Sequence, residues 1–369
     1  MADRIDVAVL GAGNGGVAAA ADLGLRGFQV SLCTRNAMRL LPFQRLGGVE
    51  ATGALGEATV PVARITTDVA EAVRGAEVIM VTVPAPGHAY YAEALARCLT
   101  PDQVVVLNAS NTGSALHVAR ILAQRGAPRV PIVEFNTLTY ICRMASPTRV
   151  NITGPAQTIS AAVLPADAGE STYPRVQRYY PQIQPASSVL VTSLTNFNAV
   201  LHPAGMIMNT GWIEHTAGAF SYYFEGTTPG VARAIEALDH ERQAVAAGYD
   251  LRTPSFLEFF YRAGFTTRRA WEAGSVYEAI RDSVPNRYIR APTSLESRYI
   301  EEDVGFGLVP LLALAQAVGV AVPTVEAFIH LASVATGVDY RQVGLHADRL
   351  GIAGAARADV ERLARVGPW

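Results

Sequence analysis

Residues 5–35 read IDVAVLGAGNGGVAAAADLGLRGFQVSLCTR, and no other stretch limits the possible folds as strongly. Residues 5–10 form a short apolar run suited to a strand buried on both faces. Gly11, Gly13 and Gly16 follow in G-x-G-x-x-G spacing; residues 17–25 favour a helix that stops near Gly27, and residues 28–33 read as strand again. Such a βαβ unit requires a parallel sheet. Gly11 allows the tight turn, Gly13 lets a ligand approach the backbone, and Gly16 lets helix and strand pack closely. The helix start, with Asn14 and Gly15 in its first turn, offers unpaired N–H groups and a positive dipole end to phosphate. A dinucleotide cradle is therefore expected here rather than a plain packing turn.

The end of the second strand bears on which dinucleotide. An NAD site usually carries a carboxylate there for the ribose 2′-OH. This chain reads CTRNAMR, with Thr34, Arg35 and Asn36, and no carboxylate before Glu50. A hydroxyl, a guanidinium and an amide suit a 2′-phosphate, which arginine binds bidentately. NADP(H) is the expectation and NAD(H) the alternative, in which Arg35 is simply a solvated surface residue. Further strand-like runs at 78–83, 104–107 and 129–135 alternate with helical sequence. The pattern predicts a Rossmann-type, doubly wound and mostly parallel α/β sheet. Loops beyond the carboxyl ends of its strands would line the cofactor crevice. They are PAPGH (84–88, opening on Pro84), NASNTG (108–113) and EFNTLTYICR (134–143). His88 and His117 lie in or near such loops, where a structural role is the simpler one. Shorter strand-like pieces with proline turns over 149–191 end this domain near residue 190, dividing the chain into 1–190 and 191–369.

At 369 residues, half of them hydrophobic and 17% charged, the chain can form two well-buried domains. A net charge of -2 gives no broad electrostatic reason to expect nucleic acid or anionic membrane. Cys33, Cys98 and Cys142 have neither metal-site spacing nor a disulfide framework, so a reducing, cytoplasmic setting without a metal is expected. Strand-like sequence from residue 5 leaves no room for a signal peptide, and no run reaches the ~18 apolar residues of a spanning helix. One absence is chemically sharp. All 30 basic residues are arginine. Schiff-base, ammonium-clamp and lysine proton-donor mechanisms are therefore excluded.

After residue 193 the chain reads as helical, over 194–223, 229–247, 254–261, 267–280, 306–318 and 323–335. Gly319 and Pro323 punctuate the last two. A second, all-helical domain follows. Among its histidines His202 stands out, because helical spacing puts it on one face with Asn198 and Asn209 inside an apolar run. The face belongs either to a polar crevice or to a core in which every amide is satisfied internally. Pro203 predicts a break in the helix beside His202. With no lysine, His202 is the natural proton handler near neutral pH. A carboxylate would be needed to hold its tautomer. Glu301, Glu302 and Asp303 offer one, although Asp303 also looks like a helix cap and Glu214 or Glu225 would serve on composition.

These residues carry a resemblance. Over nearly its whole length the chain resembles the opine dehydrogenase family, octopine/nopaline type, and bacterial N-(1-carboxyethyl)-norvaline-type members especially. The shared stretches are GAGNGG (11–16), SLTNFNAVLHP (193–203), YYFEGTTPGV (222–231) and RYIEEDVGFGLVPLLALA (298–315). The resemblance implies joining of an amino acid to a 2-oxo acid and reduction of the C=N bond with NAD(P)H, or the reverse. It implies His202 as catalytic histidine and Asp303 as its partner. Asn198, Arg298 and Arg143 match positions near the reaction centre, and Asn209 would bind a polar group or hold His202. Thr34-Arg35 departs from the acidic residue of those relatives, which puts their NAD preference in doubt here. Two other readings stay open: reduction of a simple 2-oxo acid or ketone, and a nucleotide-binding sensor without turnover. Substrates would be small molecules, and a homodimer through the helical domain is compatible.

Overall fold

The structure, a computed structural model, describes residues 5–369. It contains two compact units. The first comprises residues up to 110, residues 114–192 and residues 362–369; the second comprises 111–113 and 193–361. Residues 111–113 and 362–369 are thus pieces that no single cut of the chain could assign.

The first part of the chain runs β1 (Val7–Leu10), α1 (Asn14–Leu25), β2 (Val30–Cys33), α2 (Ala37–Leu46), β3 (Gly48–Gly53), β4 (Ala58–Pro61), β5 (Arg64–Thr66) and α3 (Val69–Val73). It continues with β6 (Val78–Val81), α4 (His88–Leu95), β7 (Val104–Leu107), α5 (Ser114–Gln124), β8 (Ile132–Phe135), β9 (Tyr140–Met144) and β10 (Arg149–Pro155). β11 (Ile159–Leu164), α6 (Gly169–Gln177), β12 (Ile183–Pro185) and α7 (Val189–Ser193) complete it. Eight strands form one sheet in the order β12-β11-β8-β7-β6-β1-β2-β5. Its pairs are parallel except β11 with β8, where the chain reverses. β1 lies between β2 and β6, so the glycine turn leaves the sheet where its order reverses, the usual ligand position in such sheets.

Sequence patterning did not anticipate a second sheet, of order β4-β3-β10-β9. β3 pairs in parallel with β10, from a segment about a hundred residues later. α1 packs against both sheets. That explains its composition: Val17 to Ala21 are all 0% exposed, and a helix apolar all round belongs in a core. Glycines let it approach closely. A Cβ on Gly16 would lie 1.7 Å from the Gly11 carbonyl oxygen and 2.7 Å from Thr82 Oγ1, while Gly11 itself has φ +122°.

In the second unit the elements are α8 (Asn198–Met208), α9 (Thr210–Thr216), α10 (Pro229–Gly248), α11 (Phe256–Arg262), α12 (Arg268–Glu272) and α13 (Val276–Arg281). α14 (Arg298–Asp303), a π-helical turn Val304–Leu308, α15 (Val309–Val318), α16 (Pro323–Thr336), α17 (Tyr340–Val343) and α18 (Ala347–Leu350) follow, before α19 (Arg357–Val366). Among the described residues, strand pairing here is limited to one isolated bridge, Ser221 to Arg290. The expected helix 194–223 is interrupted, but not at Pro203. α8 runs through the proline and stops at Asn209, whose backbone (φ -114°, ψ 15°) separates it from α9. Tertiary contacts hold the turn that proline disfavours: the Tyr222 hydroxyl bonds the His202 carbonyl at 2.8 Å, and Gly307 packs on Ala199. The expected helix 267–280 is likewise divided, at Gly274 with φ +69°. No described helix is long and apolar enough to cross a membrane.

Gly16→Ala should cost about 3 kcal/mol of stability, because the methyl meets backbone that cannot move without separating β1 from α1. Urea unfolding followed by circular dichroism measures it.

Candidate active site

In the first unit, Thr82 at the end of β6 holds the glycine turn by donating its hydroxyl toward the Leu10 and Gly11 carbonyls, at 3.2 and 3.1 Å. Gly13 is the N-cap of α1 and brings no side-chain acceptor to the first-turn N–H groups. A Cβ there would meet nothing within 4 Å. Open space over unbonded helix N–H groups is what a pyrophosphate requires. Asn14 turns the other way, accepting the Met144 N–H at 2.9 Å, and so fixes β9 beside the turn. Arg143, the neighbouring residue on β9, is exposed. Gly15 is buried with Leu138 against it. Pro84 is exposed and starts a short turn whose Gly87 N–H bonds its carbonyl at 2.8 Å.

At the end of β2, Thr34 is buried and its hydroxyl accepts the Asn36 N–H at 3.4 Å. The Asn36 side-chain oxygen caps α2 by accepting the Arg39 N–H at 3.1 Å, leaving only its amide N–H groups for a ligand. Arg35 is exposed, with its guanidinium carbon 5.4 Å from the Tyr90 ring centroid. Arg39 was not anticipated. Its Nε donates to the Ala12 carbonyl at 2.6 Å, tying α2 to the glycine turn. Arg35 precedes the Asn36 N-cap and Arg39 lies in the first turn of α2, so helical spacing does not relate the two.

The second unit holds the buried histidine and its carboxylate. His202 is 4% exposed and Asp303 is 3% exposed, and Nδ1 lies 2.7 Å from Asp303 Oδ2. Asp303 ends α14 and makes no side-chain cap bond to the turn that follows. Its carboxylate goes to the imidazole, so the cap reading fails. The π-helical turn after it packs Gly307 on Ala199 of α8, one helical turn from His202 on the same face. Of the other carboxylates, Glu302 accepts from the Asn111 amide at 3.1 Å, and Glu301 is exposed. The remaining faces of His202 are also occupied. Nε2 is 3.1 Å from the Tyr223 hydroxyl, and the Tyr299 ring stacks at 3.8 Å and 12°. Arg298 begins α14 beside Tyr299, its guanidinium carbon 5.8 Å from that ring. Asn198 is exposed at the first turn of α8. Asn209 does not join them, because its amide donates to the Gly205 and Gly226 carbonyls at 2.8 and 2.9 Å. The three-residue face thus divides into an exposed amide, a buried imidazole and a scaffold amide.

A second buried cluster supports this one. Arg242 is 1% exposed and donates from Nε and Nη2 to Asp239 Oδ1, at 2.9 and 2.6 Å. It also donates to the Leu194 carbonyl, to Thr253 Oγ1 and to the Pro254 carbonyl, and stacks on Phe197 at 4.7 Å. The turn leading into α8 is thereby held. Composition hid Arg242 inside the charged run DHER. His88 proves structural as well: 1% exposed, bonded to the Val83 backbone, with Nε2 unpartnered. Burial, with the neighbouring His117 adding to it, pushes its pKa down to about 4. Among the described residues no cluster could hold a metal ion.

Arg242→Met, which strands the Asp239 carboxylate, should lower stability by about 3–5 kcal/mol in urea unfolding. For His88 the folded pKa lies below the ordinary 6.5, so as pH falls the unfolded chain takes up the proton first. Its contribution, on the order of 3 kcal/mol, is complete above pH 6.5 and lost on the way down to about 4. His88→Gln should flatten that limb of the stability–pH curve.

Comparison with known proteins agrees in both halves of the chain. Residues 7–164 match the family model "Ketopantoate reductase PanE/ApbA", and residues 185–336 match "NAD/NADP octopine/nopaline dehydrogenase, alpha-helical domain". An opine dehydrogenase of Arthrobacter sp. (strain 1C) is 36% identical over 353 residues, 96% of this chain and 97% of that one. Octopine dehydrogenase solved with NADH and L-arginine superposes with a TM-score of 0.79 at 21% identity, covering 97% of this chain and 98% of that one. Yersinopine dehydrogenase solved with NADP+ gives 0.76 at 18%, covering 99% of this chain and all of that one (100%). The two structures speak to the fold; the Arthrobacter sequence, aligned almost end to end, goes further, and the chain belongs to the opine dehydrogenase family.

Proposed function

We propose that this chain is an NAD(P)H-dependent opine dehydrogenase, joining the amino group of an amino acid to a 2-oxo acid and reducing the C=N bond to a secondary amine, or running the reverse. The observation that carries this reading is the buried His202–Asp303 pair, in a chain without lysine that also bears the glycine cradle. A reduced nicotinamide, when bound, would supply the hydride for the imine carbon. Asp303 accepts the hydrogen bond of Nδ1–H, holds one tautomer and stabilises the imidazolium. His202 holds the proton destined for the nitrogen and, in the oxidative direction, receives it back. Arg298 and Arg143 are the proposed carboxylate clamps, since both reactants are acids and a guanidinium binds carboxylate bidentately. Asn198 is proposed to bind a polar group of the substrate.

For the cofactor we favour NADP(H). Arg35, just before the Asn36 N-cap, Arg39, in the first turn of α2, and the lack of a carboxylate at 34–36 support it. Gly11, Gly13, Gly15, Gly16 and the Asn14 turn would hold the pyrophosphate. Two copies pairing through the outward Leu331 and Val334 of α16 belong to the same proposal, and light scattering tests it. The ketopantoate reductase family model matches residues 7–164, which exclude His202, so that match does not favour a simple 2-oxo acid reductase.

NADPH oxidation should require both an amino acid and a 2-oxo acid, assayed across panels of each. Equal oxidation with pyruvate alone would sink this reading. His202→Asn should lower kcat by about 10²–10⁴-fold. Arg35→Ala should weaken NADPH binding about tenfold or more while leaving NADH nearly unchanged, read by fluorescence titration.

A further inference from the structure

Asp303 takes Nδ1 of His202 at 2.7 Å, Tyr299 covers a face of the ring at 3.8 Å, and the imidazole is 4% exposed. Nε2 is the nitrogen left for proton exchange, and the Tyr223 hydroxyl lies against it at 3.1 Å. Tyr223 is itself held. It is 7% exposed, bonds the Tyr299 hydroxyl, and packs edge-on to Tyr222 at 5.0 Å and 88°. Tyr222 is anchored on the His202 carbonyl, in space kept open by Gly205, where a Cβ would come 2.4 Å from the Tyr222 oxygen.

We propose that Tyr223 is a catalytic residue of the opine reaction: its hydroxyl, and not Nε2 of His202, meets the substrate nitrogen, and every proton moving between His202 and that nitrogen passes through it. The inference rests on the reading above. In the reductive direction the hydride electron pair forms the new C–H bond at the imine carbon. The C=N π pair moves onto nitrogen and takes the Tyr223 hydroxyl proton, forming N–H. As that O–H bond breaks, the phenol oxygen receives the Nε2 proton of the imidazolium. His202 is left neutral with Nδ1–H on Asp303, and solvent restores its proton for the next turnover. The oxidative direction runs the same transfers backwards. Burial holds the Tyr223 phenol well above its usual range, reinforced by Tyr299 and by the Asp303 carboxylate. A free phenolate is therefore disfavoured, and the two proton transfers must be coupled. A buried tyrosine packed edge-on, at fixed distance from a tautomer-locked imidazole, suits such coupling, because neither group has to reorganise.

The test is Tyr223→Phe, together with fluorotyrosines placed at position 223, which keep the ring and hydroxyl while lowering the phenol pKa. Tyr223→Phe should stay folded and bind NADPH like wild type, at some cost in stability, yet lose about a hundredfold in kcat with KM for both substrates changed less than about threefold. kcat should move steadily with phenol acidity from tyrosine through mono- to trifluorotyrosine, with a solvent deuterium isotope effect on the same step. Tyr223→Phe with wild-type kcat would overturn the relay. So would a fluorotyrosine series with flat kcat and no isotope effect, which would leave Tyr223 as a positioning group only. If wild-type NADPH oxidation needs no amine, the opine reading itself fails; a fully active His202→Asn would overturn the proton role of His202 and the relay with it. An inactive His202→Asn beside a fully active Tyr223→Phe removes the relay alone.

Discussion

Both nitrogens of the His202 imidazole are committed, one to Asp303 and one to Tyr223, and the ring lies against Tyr299. An imidazole held this way has one tautomer, one orientation and one exchangeable proton. The second unit is arranged to keep it so. α8 brings the histidine, α14 brings the aspartate from 101 residues further along, and the π-helical turn between α14 and α15 seats Gly307 on α8. A polar pair buried this deeply is costly unless every hydrogen-bonding position is met. Here the neighbours meet them, and the specificity of the site follows from that satisfaction.

The support extends outward to a second buried pair. Arg242 and Asp239 form a buried ion pair whose other hydrogen bonds reach Leu194, Thr253, Pro254 and the Phe256 N–H. These residues lie on the turns that precede α8 and α11. In the first unit, the corresponding device is steric. α1 is built from alanine and glycine because it is enclosed between two sheets, and Gly16 against Gly11 sets how closely the dinucleotide turn meets its helix. One unit obtains precision from satisfied charge, the other from the absence of side chains.

Much of the first unit could be read locally. β1, the glycine turn, α1 and β2 are consecutive, so their pattern carries the geometry. The four-stranded sheet was not legible, because β3 and β10 pair across about a hundred residues: β10 alternates over residues 149–153 and reads as a strand, but nothing local names its partner. In the second unit, helix existence was legible and helix breaks were not. Pro203 suggested a break on local grounds, but Tyr222 on the His202 carbonyl and Gly307 on Ala199 keep that turn helical. The break falls instead at Asn209, a residue whose spacing had suggested a site and whose amide is used on backbone carbonyls.

By itself the sequence determined a βαβ nucleotide cradle, a helical second half and, by containing no lysine, the exclusion of any lysine-based chemistry. Periodicity and composition set those limits because they depend only on neighbours along the chain. The tertiary structure decided which carboxylate serves His202, since Glu301, Glu302 and Asp303 are consecutive and only their rotation about α14 separates them. It also decided that Tyr223, which reads as an ordinary core aromatic, closes the second nitrogen of His202. Contacts between distant segments are made by packing, and packing is not written in any local run of residues.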